Sequence, residues 1–412
     1  MSSLTNVNTD WRLATIGEEF DIRLGKMLDE KKNIGELKPY IGNRSVQWGR
    51  IDTSDLSTMA LSIEDQKTYR LKQGDLLVCE GGEVGRCAIW NGTMECYYQK
   101  AIHRLRSTNG YRADLLAYYF EYWTSHDLLG DFVTKTSIAH LTKEKLAEIP
   151  LPVPSQQEQN AIASALSDMD ALLAKLDQLI AKKRDIKQAA MQELLTGRRR
   201  LPGFSKAWTA GTLRDVIADL EAGVSVNSVD HENPGSTGQP CILKTSAIYD
   251  GEFNPDECKL IDTQDTDRAR LSPRKDTILV SRMNTPNLVG EVGYVANDYP
   301  NLYLPDRLWM TRFHQGAKVC PRWLAYVLSS THIKDKIKGL ATGTSGSMKN
   351  ISKGALLGLE LAFPVLEEQI EIAMILSDMD TDITALEARR EKTRLIKQGM
   401  MQELLSGRVR LI

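Results

Sequence analysis

The sequence has no long apolar run; about 18 such residues would be needed to suggest a membrane-spanning helix. Its start, Met1-Ser2-Ser3-Leu4-Thr5-Asn6, shows no basic stretch leading into an apolar core, so no secretory leader is predicted. Cysteine is sparse, at 79, 87, 96, 241, 258 and 320. None of the six forms Cys-x-x-Cys or lies near a histidine pair at metal-ligand spacing, so they read as buried free thiols of a reducing cytoplasm. Neither sign of charge dominates: 52 Lys+Arg stand against 54 Asp+Glu, a net charge of −2, which lacks the broad basic footprint of a free-standing nucleic-acid binder.

Catalytic signatures are missing as well. Asn233-Pro234-Gly235 and Asn254-Pro255-Asp256 lack the second proline of the pocket that holds a flipped base amine in adenine methyltransferases. Gly81-Gly82-Glu83-Val84-Gly85 comes nearest to a dinucleotide fingerprint, but it leads into another alternating run and reads as a turn. Gly343-Thr344-Ser345-Gly346-Ser347-Met348-Lys349 lacks the closing Gly-Lys-Ser/Thr of a phosphate loop. No serine elbow and no His-x-Glu zinc motif occurs, and the six histidines are scattered. These absences favour a binding or scaffolding protein over an enzyme.

What the sequence does contain is a long internal repeat. Its 412 residues suggest two to four domains. Leu166-Ser167-Asp168-Met169-Asp170 returns as Leu376-Ser377-Asp378-Met379-Asp380, and Met191-Gln192-Glu193-Leu194-Leu195 as Met401-Gln402-Glu403-Leu404-Leu405. Aligned without a gap at an offset of 210, residues 151–201 and 361–411 share 26 of 51 positions, far above chance. Upstream the likeness thins: Trp11 matches Trp208, and Leu116-Ala117-Tyr118 matches Leu324-Ala325-Tyr326. The order is variable, constant, variable, constant, with expected domains 1–153, 154–201, 202–363 and 364–412.

Each constant stretch reads as one long helix. Pro154 and Pro364 suit a helix start, Gly197 suits a stop, and Gly399 is a weak point inside the second copy. Ile162, Leu166, Met169, Leu173, Leu176 and Ile180 step by four and three, as do Ile372, Leu376, Met379, Ile383 and Leu386, which is a coiled-coil spacing. We expect the two helices to pair antiparallel through Leu166, Met169, Leu173, Leu376, Met379 and Ile383. The alternative is two amphipathic helices, each packed on its own neighbouring domain. Lys182-Lys183-Arg184 fits a solvated face, and Arg198-Arg199-Arg200 fits either a helix-end charge or a phosphate contact.

The variable halves show short strand-like runs, such as Asp75–Cys79, Thr277–Val280 and Val292–Val295, followed by helical runs at Ala113–Trp123 and Pro321–Leu328. The predicted fold class is therefore α+β: two pseudo-repeated globular α+β domains joined by two long helices forming an antiparallel coiled coil.

The segments Leu151-Pro152-Val153-Pro154-x-x-x-Glu158-Gln159 and Leu361-Ala362-Phe363-Pro364-x-x-x-Glu368-Gln369, with Gln-Glu-Leu-Leu-Thr/Ser-Gly-Arg closing each helix, resemble the specificity subunit of type I restriction-modification systems. The resemblance covers essentially the whole chain, with one departure at the helix entry: Pro150 and Pro152 in the first copy stand where the second has Glu360 and Ala362. It implies two target recognition domains, each reading half of a split double-stranded DNA sequence. It also implies helices that set the gap and dock two modification (methyltransferase) subunits, with restriction (motor-nuclease) subunits added. No cofactor is expected on this chain; S-adenosylmethionine, ATP and Mg would sit on the partners, in the cytoplasm and away from any membrane. Since the halves differ, the target is expected to be bipartite and asymmetric. Two other readings stay open: a targeting subunit for a fused methyltransferase-nuclease, and a coiled-coil scaffold that does not bind DNA.

Candidate DNA-contacting residues are chosen by type and position. Lys135, Thr136, Ser137 and His140 in the first half, and Thr344, Ser345, Lys349 and Asn350 in the second, lie in polar loops just upstream of each repeat and could hold phosphates. For bases we select Arg86, Lys100 and Arg104, then Arg282, Asn284 and Arg307, because Arg and Lys donate to guanine O6/N7 and Asn pairs with adenine. Each could equally be a surface charge or a structural ion pair.

Overall fold

The computed structural model describes residues 10–29, 33–135, 139–230, 238–343 and 348–411. The chain forms two compact units, Met1–Gln178 with Glu387–Ile412, and Leu179–Leu386. The division falls inside the two long helices rather than at the ends of the constant stretches. Among the described residues no helix is long and apolar enough to cross a membrane.

In the first unit a four-stranded antiparallel sheet runs in the order Phe20–Leu24, Ile102–Ser107, Leu76–Cys79, Cys87–Ile89. Side chains alternate across a strand, and here both faces are covered. Leu76 and Val78 enter one core with Leu115, Leu116, Tyr119, Phe120 and Trp123 of the helix Ala113–Ser125. Leu77 and Cys79 enter another with Ile41, Trp90, Cys96 and Tyr98. Arg12–Thr15 pairs antiparallel with Pro150–Val153, tying the start of the unit to the start of the first repeat helix. Pro150 and Pro152 are tolerated there because, two residues apart in a two-stranded ribbon, they remove donors from one edge only.

The second unit repeats the plan. Its sheet runs Ile217–Ala222, Leu308–Phe313, Thr277–Ser281, Val292–Val295, again antiparallel. Ile278 and Val280 face the helix Pro321–Ser329, and Leu279 faces the opposite core with Cys241, Leu243 and Cys258. Thr209–Thr212 pairs with Glu360–Phe363, as Arg12–Thr15 does with Pro150–Val153. Five of the six free cysteines are buried, and Cys320 is half-buried.

The repeat helices span Gln156–Leu194 and Leu366–Leu405. Gly197 and Gly407 follow their ends at φ +70 and +69, the left-handed conformation that stops a helix and favours glycine. In the first unit Asp170 pairs with Lys397 and Asp177 with Arg390. In the second, Lys183 pairs with Asp382 and Lys187 with Asp380. Within each unit one partner's number rises as the other's falls, so the helices run antiparallel.

The apolar spacing is used in two ways at once. Leu166 is fully buried among Leu115, Tyr119 and the other helix's Met401, Leu404 and Leu405. Leu376 is fully buried among Trp323, Leu194 and Leu195. Ile383 is buried, whereas Met169, Leu173 and Met379 are half-buried. Each helix start therefore packs on its own globular half and on the end of the other helix together. Away from those ends, ion pairs replace much of the apolar contact.

Candidate nucleic-acid interface

The Glu-Gln pair that begins each repeat helix is a positioning device. Gln159 accepts from the Arg112 N–H (3.0 Å) and donates to the Pro154 carbonyl (3.0 Å). Gln369 accepts from the Cys320 N–H (2.9 Å) and donates to the Pro364 carbonyl (2.9 Å). Each glutamine thus fixes its helix to the helix of its own globular half. The glutamates bind the chain that leaves the other helix: Arg410 bonds Glu158 and lies over the Trp11 ring, and Arg200 bonds Glu368 in bidentate fashion (2.7 Å each) over the Trp208 ring. A second repeated cluster joins a tyrosine, an aspartate and a lysine. Tyr118 donates to Asp170 while Lys397 bonds Asp170 and Glu121. Tyr326 donates to Asp380 while Lys187 bonds Asp380. Burial alone would lower the Lys397 ammonium, but Glu121 and Asp170 outweigh it and hold its pKa above the ordinary value.

These devices fix each sheet relative to its helices, and the candidate side chains gather at one end of each sheet. In the first unit the strand Leu76–Cys79 continues into Glu80, whose N–H donates to Ala101 O (2.9 Å) and whose carbonyl accepts from Leu141 N–H (2.8 Å). Gly81 bridges to His140, and a Cβ at Gly81 would lie 3.1 Å from the His140 ring, close enough that the ring would have to shift by a few tenths of an ångström. Lys100 is exposed beside Ala101. Arg86 precedes the next strand; its side chain donates to the Asn43 carbonyl (3.0 Å) and reaches Glu83 at 3.5 Å, while Nε has no partner among the described residues.

The second unit has the same backbone frame. Arg282 N–H donates to Arg307 O (3.0 Å), and Ile351 N–H donates to Arg282 O (2.9 Å). Met283-Asn284 pairs with Lys349-Asn350 where Gly81 meets His140. The corresponding positions are therefore Glu80 and Arg282, Gly81 and Met283, Ala101 and Arg307, His140 and Asn350. Sheet register adds His103 and Trp309, which face Val78 and Val280. One frame carries two different sets of side chains.

The structure brings Arg282, Asn284, Arg307, Lys349 and Asn350 together at this sheet end, although 68 residues separate Arg282 from Asn350 in sequence. Asn284 donates to Ser281 Oγ and Lys349 to Gly343 O. In the first unit it gathers Arg86, Lys100 and His140. Arg104, expected to read a base, does not join them: its side chain is 3% exposed and bonds Asp21 at 2.6 Å, a structural ion pair. Asp21 is held below the usual carboxylate range because Arg104, aided by Arg23 and Arg106, outweighs its partial burial. Lys135 is described by its backbone pairing with Ala139 alone. Thr136, Ser137, Thr344 and Ser345 lie outside the described residues.

Glu80 and His103 also stand at this sheet end, and residue type gave no signal for them, an acid being an unusual DNA contact and the histidines being scattered along the sequence. His103 donates from Nε2 to Leu141 O (2.9 Å). Burial pushes its pKa below the ordinary value, against the opposing effects of that bond and of Glu80. Among the described residues no group of His, Cys, Asp or Glu could hold a metal ion.

Comparison with known proteins gives the fold its setting. The family model for the type I restriction modification DNA specificity domain matches twice, at residues 8–183 and 206–395. The chain is 24% identical to the type I restriction enzyme MjaVIII specificity subunit of Methanocaldococcus jannaschii, over 98% of this chain and 94% of that one. It is also 24% identical to that organism's putative MjaX specificity subunit, over 100% and 96%. Among solved structures it resembles the S subunit of a type I restriction-modification system from M. genitalium, with a TM-score of 0.59 at 15% identity over 98% of both chains. Matched twice along most of its length, the chain belongs to the type I restriction-modification DNA specificity family, as a specificity subunit rather than a catalytic one.

Proposed function

We propose that this specificity subunit reads an asymmetric, two-part sequence on double-stranded DNA, one part through each α+β unit, and docks two modification subunits through its repeat helices. Restriction subunits join that assembly, and S-adenosylmethionine, ATP and Mg act on the partner subunits, in the cytoplasm where the host DNA lies. The observation that carries this reading is the repeated sheet-end frame. Two units with one backbone hydrogen-bond pattern hold different side chains at the same positions, as two readers of different half-sites require. Arg86, Lys100, His140, Arg282, Asn284, Arg307, Lys349 and Asn350 are the described DNA-contact candidates on those frames, and Lys135, Thr136, Ser137, Thr344 and Ser345 remain candidates by residue type and sequence position.

Methylome sequencing of a strain whose sole specificity subunit is this chain tests the reading. A methylated motif made of two unlike half-sites with a fixed gap is expected, and it should vanish when the subunit is deleted. A continuous or palindromic motif, or one that survives the deletion, would refute it.

A further inference from the structure

The two sheet ends differ most in charge at one position. Glu80 and Arg282 share a backbone environment, each bonded through N–H to the strand start at 101 or 307 and through C=O to the residue at 141 or 351. Each follows by two residues a core valine of its sheet's helix-covered face, Val78 or Val280, and alternation along a strand places the two positions on the same face. Neither has an acid–base partner among the described residues. Arg282 is half-buried, its guanidinium lies over the Trp309 ring at 5.8 Å, and its Nε has no acceptor among the described residues. A guanidinium held on an aromatic face and short of acceptors is preorganised for a planar acceptor pair. Arg307 stands beside it, exposed. In the first unit the place of Trp309 is taken by His103, and that of Arg282 by a carboxylate, which accepts only.

We infer that Glu80 and Arg282 are equivalent base-reading positions of opposite chemistry, Arg282 donating to guanine O6/N7 in one half-site and Glu80 accepting from cytosine N4 or adenine N6 in the other. The assignment rests on the DNA-reading function proposed above and gives it a residue-level rule. Donors meet the acceptor edge of guanine in the major groove; a carboxylate meets an exocyclic amine and is repelled by acceptor edges.

The test is methylome sequencing of host DNA from strains carrying the cognate modification subunits with wild-type chain, Arg282→Glu, Arg282→Lys or Glu80→Gln. Arg282→Glu should abolish the preference for one G·C pair in a single half-site, a loss of about ten- to a hundred-fold in discrimination. Arg282→Lys should keep guanine there, since lysine also donates to O6/N7. Glu80→Gln should relax one position in the opposite half-site and leave the first untouched. If Arg282→Glu abolishes methylation altogether, the Arg282→Lys and Glu80→Gln motifs decide the matter. An unchanged motif from Arg282→Glu or from Glu80→Gln, loss of guanine at that position in Arg282→Lys, or uniform loss of methylation at every site in Arg282→Lys or Glu80→Gln, overturns the assignment while the function stands. A wild-type strain with no two-part motif overturns the function and the assignment together.

Discussion

Glu158 and Glu368 occupy the same place in the two repeats, yet only Glu158 closes a capping box, with Ser155. The Arg410 bond, more than the Ser155 contacts, holds Glu158 below the ordinary carboxylate value of 4.5 despite partial burial. A carboxylate depressed in the folded state stabilises above its unfolded value, and that stabilisation is lost as pH falls through the folded value. Glu158→Gln should therefore lower the urea midpoint near pH 7, with the deficit shrinking as pH falls below about 4.5; a deficit that is the same at acid and neutral pH would dissociate Glu158 from this linkage. The residue scale is also where the sequence was least readable. The Glu-Gln repeat was visible, but its partners lie far along the chain, Arg410 being 252 residues from Glu158. Arg104 shows the converse: residue type is the same for a base reader and a buried ion pair, and only Asp21 across the sheet decides.

At the scale of elements, patterning carried much more. Helix length follows from an uninterrupted polar-apolar period between a proline start and a glycine stop, and those signals are local. The division of each apolar stripe between a globular core and the opposite helix is not local, so a heptad spacing alone could not apportion it. Leu166 shares one core with Tyr119 of the globular half and with Met401 and Leu404 of the other helix. Leu166→Asp should thus destabilise the first unit by several kcal/mol, on the order of the cost of an unpaired buried carboxylate. Thermal unfolding that matches wild type would rule out this shared core. Gly399 is the opposite case. A Cβ there meets nothing within 4 Å, and the helix runs through it. Gly399→Ala should raise stability by about 1 kcal/mol, read as a higher melting temperature.

For the whole molecule, charge sets the terms of binding. The first variable half holds 19 Lys+Arg against 21 Asp+Glu, and the second 18 against 18. Phosphate neutralisation supplies much of DNA affinity. The isolated chain should accordingly bind its target far more weakly than the assembly with modification subunits at the same salt; equal affinities in a titration would show that the partners add no positive surface. One further property follows from how the two units are cut from the chain. The second is a single stretch, Leu179–Leu386, whereas the first needs Glu387–Ile412 to complete it. Met401, Leu404 and Leu405 sit in its core, and Tyr119 donates to the Leu405 carbonyl. During synthesis the unit begun first is therefore finished last. A chain ended after Leu386 should yield a protease-resistant second unit beside a first unit whose core is open around Leu166. Between the making of residue 178 and the release of the last helix turn, the nascent protein carries an unfinished hydrophobic face, and that interval is when it most needs a chaperone.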